Sequence, residues 1–555
     1  MCLSANLPAL LVLGLGLTLS ACGSSGDDAQ AAAPADFGPV VAAPAGTLEG
    51  EHVDAAQDVL AFRGVPYAAP PVGGARWQPP APAAAWDGVR PATAFGPVCW
   101  QRSRDMSSLY ARGDLDTRED CLYLNIWTPA DGPSAALPVM VWFHGGGHNS
   151  GAGSPRIFDG TALARKGVVL VTINYRLGPF GFLAHPALTA ESPHGSSGNY
   201  GLLDQIAALE WVRDNIAAFG GDAGNVTIFG QSAGSWTVCY LMASPLAKGL
   251  FHKAIGQSGG CFKGERPYLD HVTEERGAER SAHAAGLAAA AELGVEGDGP
   301  EAAAALRALP PDEILATTLG SGAIVDGWVL PRAPRAIFAA GEHSNVPVIV
   351  GAMANERAAL YDTGAEPSRA ELEATVRSQY GPRADALLAA YAGDLADAPA
   401  TADKQMAGDR TFVWEMRTWA RAVEAAGNVA YHYFFSHAPP VFRLYVHDQP
   451  DLPVEGGRRA YGAYHSGELA YVFGNVGLVG LDWTDWDHEL ADAISQYWAN
   501  FARTGDPNGE GLPVWPRYET ATDQSLEFGS EIAAASGVRK DKLDIFDGYF
   551  GFSES

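Results

Sequence analysis

The chain has 555 residues, with 64 acidic side chains against 37 basic ones and a formal net charge of −27. Its 47 % hydrophobic and 18 % charged residues describe a globular chain that can bury a large core, which excludes intrinsic disorder. The acidic excess leaves no broad basic face for nucleic acid or for docking on anionic lipid, so neither partner is expected.

In chain order, the first feature is an apolar run from Leu7 to Leu19. It is too short to span a bilayer and has the length of a signal-peptide core. Leu19-Ser20-Ala21-Cys22 follows and resembles the bacterial lipoprotein box, in which the signal is cleaved before a cysteine that is then lipidated. An ordinary secretory signal is the alternative. Gly23 at the next position, rather than Asp, favours the outer over the inner membrane by that resemblance. Gly, Ser, Ala, Asp and Pro dominate up to about Pro39 and read as a flexible tether. The expected layout is a lipoprotein signal peptide at 1–21, a lipidated Cys22 with its tether at 22–37, and one folded enzyme domain at 38–555. Such a protein is exported and meets the membrane only through its lipid.

Strand-like and helix-like segments then alternate. Leu137–Phe143 and Gly167–Tyr175 are continuous apolar runs, and Leu202–Ala218 has a broad apolar helical face. Val226–Phe229, Val346–Val350 and Val429–Phe435 are further buried-strand patterns. Apolar strands alternating with helices predict an α/β fold, a large, mostly parallel sheet covered on both faces. The Ala-rich stretches 278–309 and 371–392 are expected to be helical insertions forming a lid or second layer.

Reactive groups in such a fold belong on loops after strands. Val226–Phe229 runs into Gly230-Gln231-Ser232-Ala233-Gly234 and then a helix-compatible segment, the strand–turn–helix context of a nucleophile elbow. A second G-x-S-x-G occurs at Gly256–Gly260, but no helix start follows it, so Ser258 reads as a buried structural hydroxyl. His144-Gly145-Gly146-Gly147, directly after the 137–143 strand, offers unobstructed backbone N–H groups for an oxyanion. Read on their own, Glu356, Asp326 and Asp362 are comparable candidates for the acid. His437, His447, His465 and His488 are comparable candidates for the base.

Phe219–Gly234 (FGGDAGNVTIFGQSAG), Glu119–Pro129 (EDCLYLNIWTP), Arg63–Pro80 and the C-terminal YWANFARTGDPN carry a resemblance to the type-B carboxylesterases. That α/β-hydrolase family includes the cholinesterases and bacterial p-nitrobenzyl esterases, and the likeness runs from about residue 38 to 550. It implies a serine esterase that needs no cofactor or metal and acts on a small-molecule ester. By the same resemblance Ser232 is the nucleophile, Glu356 (in VGAMANE) the acid and His465 (in GAYHSGE) the base. Gly146, Gly147 and Ala233 are the oxyanion donors, and Cys99–Cys121 is a disulfide. The order Ser, Glu, His matches that superfamily.

Three departures stand out. Gln231 replaces the Glu that precedes the serine in many cholinesterases, and the Cys99–Cys121 loop is short, without a clear counterpart of the choline-stacking Trp. Both argue against choline esters. Cys261 also lacks the following cysteine of the family's second disulfide, leaving it either paired with Cys239 or, like Cys239, a buried thiol. The competing readings are a non-catalytic cholinesterase-like binding module, and a thioesterase or amidase using the same residues. The substrate pockets are expected between Pro267 and Tyr471.

Overall fold

The computed structural model describes residues 38–552 except 54–55, 57, 103–104, 131–134, 264–265, 273–279, 318–321 and 361–366. Cys22, the signal and the tether lie outside the described residues, as does Asp362.

Eleven strands form one sheet among these residues. In chain order they are β1 (Glu51–His52), β2 (Val59–Pro66), β3 (Tyr123–Pro129), β4 (Leu137–Phe143), β5 (Val169–Ile173) and β6 (Gly221–Gln231). They continue as β7 (Lys253–Gln257), β8 (Val348–Met353), β9 (Ala430–Phe435), β10 (Gln524–Phe528) and β11 (Ile532–Ser536). Across the sheet the order is β1-β2-β3-β5-β4-β6-β7-β8-β9-β10-β11. From β5 to β10 every pair is parallel, while β1, β2, β3 and β11 pair antiparallel at the two edges. Strands β5, β7, β8 and β9 are buried at every residue; β5 and β8 read as nearly continuous apolar runs for that reason, whereas β7 buries Lys253 and Gln257 at its two ends.

Four helices set the frame of the site: α1 (Tyr200–Asn215), α2 (Ala233–Ala243), α3 (Trp414–Ala425) and α4 (Asp485–Thr504). Helix α2 packs on β6 and β7, α3 on β8 and β9, and α4 on β4 and β6. Helix α4 starts on a reciprocal cap between Thr484 and Asp487 and ends at the left-handed Gly505.

The Ala-rich segments are broken rather than continuous. The first is helical over Ala282–Glu292 and Pro300–Ala308, with left-handed Gly294 and Gly297 between. The second is helical over Arg369–Tyr380 and Ala384–Ala390, interrupted at Gly381-Pro382. Gly381 takes a positive φ and Pro382 has no N–H to continue the ladder.

Two disulfides are present, Cys99–Cys121 and Cys239–Cys261, with Cα atoms 4.9 and 5.9 Å apart. The second settles what the spacing left open: Cys239 on α2 faces Cys261 beyond β7, because α2 packs on that strand. Two disulfides fit an exported body folded in an oxidising compartment. Among the described residues no helix is long and apolar enough to cross a membrane.

Candidate active site

Strand β6 ends at Gln231 and helix α2 begins at Ala233, so Ser232 alone makes the turn, at φ 58° and ψ −123°. That strained backbone is held from outside. The Ser232 N–H donates to the Gln257 carbonyl of β7 (2.8 Å), and its carbonyl accepts the first helical N–H, from Trp236 (3.0 Å). Glycine is required on both sides. A Cβ on Gly234 would lie 1.9 Å from the Phe143 carbonyl oxygen of β4, and one on Gly230 would lie 2.4 Å from Gly234. Ala233 opens α2, where the first N–H groups have no helical acceptor.

The second G-x-S-x-G behaves differently. Ser258 follows β7 fully buried, its N–H donates to the Gly351 carbonyl (2.8 Å), and its hydroxyl has no hydrogen-bond partner.

The glycine loop after β4 is braced along its length. Ser150 and Asn149 N–H groups both donate to the Gly146 carbonyl (3.1 Å), and the Tyr175 hydroxyl donates to the His144 carbonyl (2.7 Å). Gln101, two residues beyond the disulfide-bonded Cys99, exchanges two hydrogen bonds with the backbone of Gly151 (2.7 and 2.9 Å). Gly146 sits at φ 114°, and a Cβ there would meet the Ser150 carbonyl oxygen at 1.9 Å. His144 and His148 are buried under this loop, and burial pushes both imidazoles down to about 3, so they are neutral scaffolding.

Glu356 lies in the loop after β8, and His465 lies 109 residues later. Their loops are stitched together by Asn355. Its N–H donates to the Ala463 carbonyl (2.9 Å), and its side-chain oxygen accepts from Ala463 N–H (3.0 Å). Gly462 makes room for that contact, since a Cβ there would lie 2.3 Å from Asn355 Oδ1. The result is a buried pair, His465 Nδ1 to Glu356 Oε2 at 2.5 Å, with Glu356 Oε1 accepting from Met353 N–H (2.8 Å). On the other side of the ring, the Gln231 amide nitrogen lies 3.1 Å from His465 Nε2. An amide nitrogen only donates, so Nε2 is the acceptor and the proton sits on Nδ1, facing the carboxylate.

A second carboxyl, Glu468, is buried beside this pair. One oxygen accepts from Gln257 Nε2 (3.4 Å) and the other has no partner. Burial, and then the charge of Glu356, push its carboxyl up to about 8.

Ser232, His465, Gly146 and Gly147 line one cavity of about 70 Å3. The other candidates lie elsewhere. Asp326 is used by Ser196 and by the N–H groups of Trp328 and Leu330. His437 pairs with Asp487 (2.7 Å), His447 lines a separate outer cavity, and His488 belongs to α4. The cavity wall also corrects the expected pocket boundaries. Leu360, Phe412 and Tyr445 fall between 267 and 471, but Tyr110, Arg112 and Trp236 come from upstream. No motif marked these residues; the Tyr110 hydroxyl, for instance, donates to the His465 carbonyl (2.8 Å) across 355 residues.

A mostly parallel sheet flanked by helices, with a serine turn after one strand and an acid–histidine pair on later loops, defines the α/β-hydrolase class. Within that class the chain belongs to the carboxylesterase family, whose profile ("Carboxylesterase family") matches residues 38–546. It is 37 % identical to a fumonisin B1 esterase of Sphingopyxis macrogoltabida, over 87 % of this chain and 85 % of that one. It is 36 % identical to a para-nitrobenzyl esterase of Bacillus subtilis, over 87 % and 93 %. A solved carboxylesterase of Geobacillus stearothermophilus superposes with a TM-score of 0.76 at 33 % identity, covering 92 % of this chain and 100 % of that one. The chain is a carboxylic-ester hydrolase of the serine type.

Proposed function

We propose that Ser232 attacks the ester carbonyl, with His465 as general base and Glu356 orienting and charge-balancing the imidazole. The observation that carries this reading is the 2.5 Å Glu356–His465 pair, whose imidazole lines the same cavity as the positive-φ Ser232. With the proton on Nδ1, Nε2 has the lone pair needed to take the Ser232 proton. In this reading Ser232 Oγ replaces the Gln231 amide on Nε2 as the reaction begins. The tetrahedral oxyanion is held by the N–H groups of Gly146, Gly147 and Ala233. His465 then protonates the leaving alcohol, and a water activated the same way frees the acid from Ser232.

The scaffold around the reactive groups favours catalysis over a binding-only module, because the serine turn, the acid–base pair and the glycine loop are all present. The same groups would serve a thioester. The folded body is proposed to ride on a lipid anchor at Cys22, after a signal peptide at 1–21 and a tether at 22–37, on a bacterial envelope. The outer membrane is favoured.

The test is turnover of p-nitrophenyl acetate and butyrate by Ser232→Ala and Ser258→Ala variants. Ser232→Ala is expected to lose about 10,000-fold or more, as removal of a triad nucleophile does, and Ser258→Ala to keep most of the activity. The opposite pattern rejects the assignment.

A further inference from the structure

Trp236 stands one helical turn after Ser232 on α2, and its N–H closes the first helical hydrogen bond onto the Ser232 carbonyl (3.0 Å). Helical side chains lean towards the helix N-terminus, so a bulky ring at this position covers the turn that carries Ser232. Trp236 accordingly lines the Ser232 cavity, together with the rings of Tyr110, Phe412 and Tyr445.

The indole has no room to retreat. On one side it meets His148 (ring centres 5.9 Å), which is buried under the glycine loop and stacked in turn on Phe182 (5.0 Å). On another it meets Gly259, where a Cβ would lie 3.0 Å from the indole Cδ1 and Nε1 and 2.5 Å from the Ser232 carbonyl oxygen. Gly259 belongs to the second G-x-S-x-G, so a glycine of that motif makes room for Trp236. Lys263 Nζ at 6.0 Å and the Arg266 guanidinium carbon at 5.7 Å flank the same ring. A wall packed in this way resists displacement by even one methylene.

The two sides of the cavity are unequal. His465, which in the proposed mechanism hands its proton to the leaving oxygen, is flanked by Phe412 (ring centres 4.7 Å), while Trp236 lies towards His148 and the glycine loop. The alkoxy group then belongs on the His465 side and the acyl group against Trp236. The cavity at the serine is about 70 Å3, well below the ~300 Å3 at which sites begin to enclose a drug-sized ligand. Arg112 and Tyr445 line both this cavity and an outer one of about 1000 Å3. Arg112 is two residues from Tyr110, whose hydroxyl donates to the His465 carbonyl (2.8 Å), so the large space opens on the histidine's side.

We propose that Trp236 is a specificity-determining residue that shortens the acyl site, so that the preferred substrates are acetyl and propionyl esters of large alcohols. This rests on Ser232 being the attacking nucleophile, because that serine fixes the reacting carbonyl relative to Trp236.

The experiment compares kcat/KM for hexyl acetate and ethyl hexanoate, isomers with similar leaving alcohols that differ in which side is long, with acid release followed in a pH-stat. The wild type is expected to favour hexyl acetate by about 10-fold or more, the discrimination of a pocket that is too short by a methylene. Trp236→Ala should lower that ratio by a similar factor, and Trp236→Phe by less. Each ratio is taken within one preparation, so a partly folded variant does not disturb it. Equal rates or a preference for ethyl hexanoate in the wild type, or a ratio unmoved in Trp236→Ala, overturns the role of Trp236; if Ser232→Ala still abolishes hydrolysis, the nucleophile stands. Hydrolysis that survives Ser232→Ala overturns both.

Discussion

At residue scale a second carboxyl, Glu468, is buried beside the Glu356–His465 pair. Glu356 has two hydrogen-bond partners, whereas Glu468 has one at 3.4 Å and an oxygen with none, so the surroundings do not stabilise a charge on Glu468. A negative charge on Glu468 would have to be held without compensation beside Glu356, so the proton stays. The folded form binds this proton up to about pH 8, while the unfolded chain releases it near the ordinary 4.5. Stability from this group is therefore complete below about 4.5, declines as pH rises towards 8 and is level above that. Glu468→Gln should remove this decline, so the stability difference between variant and wild type should grow in the variant's favour from pH 4.5 to 8. Parallel denaturation curves across that range would show that Glu468 ionises normally.

At the scale of elements, the reactive geometry is a consequence of how closely α2 seats against β4 and β6. Gly234 and the Phe143 carbonyl touch, and nothing with a side chain fits between them. Gly234→Ala should push the helix off the sheet, at a cost of about 1–3 kcal/mol or more, and take the esterase activity with it. Gly74→Ala is the matched control, since a Cβ there meets nothing within 4 Å, and its effect should stay within about 0.5 kcal/mol. Calorimetric unfolding of both variants checks the pair; equal, small shifts would mean that the close approach is not limiting. The elbow was readable in advance because strand, turn and helix are consecutive. The breaks in the Ala-rich helices were equally local, at Gly294, Gly297 and Gly381-Pro382, and the punctuation was there to be read.

At the scale of the whole molecule, the two disulfides each join cysteines 22 residues apart. Each restricts the unfolded chain by about 3 kcal/mol in the chain-entropy account. They also tie elements near the site together: Cys99–Cys121 fastens the segment carrying Gln101 to the chain just before β3, and Cys239–Cys261 locks α2 to the chain beyond β7. A body so built suits life outside the reducing cytosol. The proposed anchor is tested on protein recovered from a bacterial membrane fraction. The mature N-terminus should be Cys22 carrying acyl chains by mass spectrometry, and Cys22→Ala should lose the membrane association. An unacylated N-terminus on the membrane-bound wild type would reject it.

The amino-acid sequence by itself determined the sheet, its buried strands, the serine elbow and the glycine loop, because each is specified by neighbours along the chain. It also carried Glu356 and His465, but only through resemblance, since in isolation Asp326 or His437 looked equally suitable. In the folded chain Asp326 serves Ser196 and two backbone N–H groups and His437 pairs with Asp487, whereas Glu356 and His465 pair with each other. Only the fold could pair Cys239 with Cys261, set Gln231 on His465 Nε2, or bring Tyr110 and Arg112 to a cavity centred on Ser232. Those contacts join residues 22 to 355 positions apart, and their partners are chosen by packing across the sheet, which no local pattern encodes.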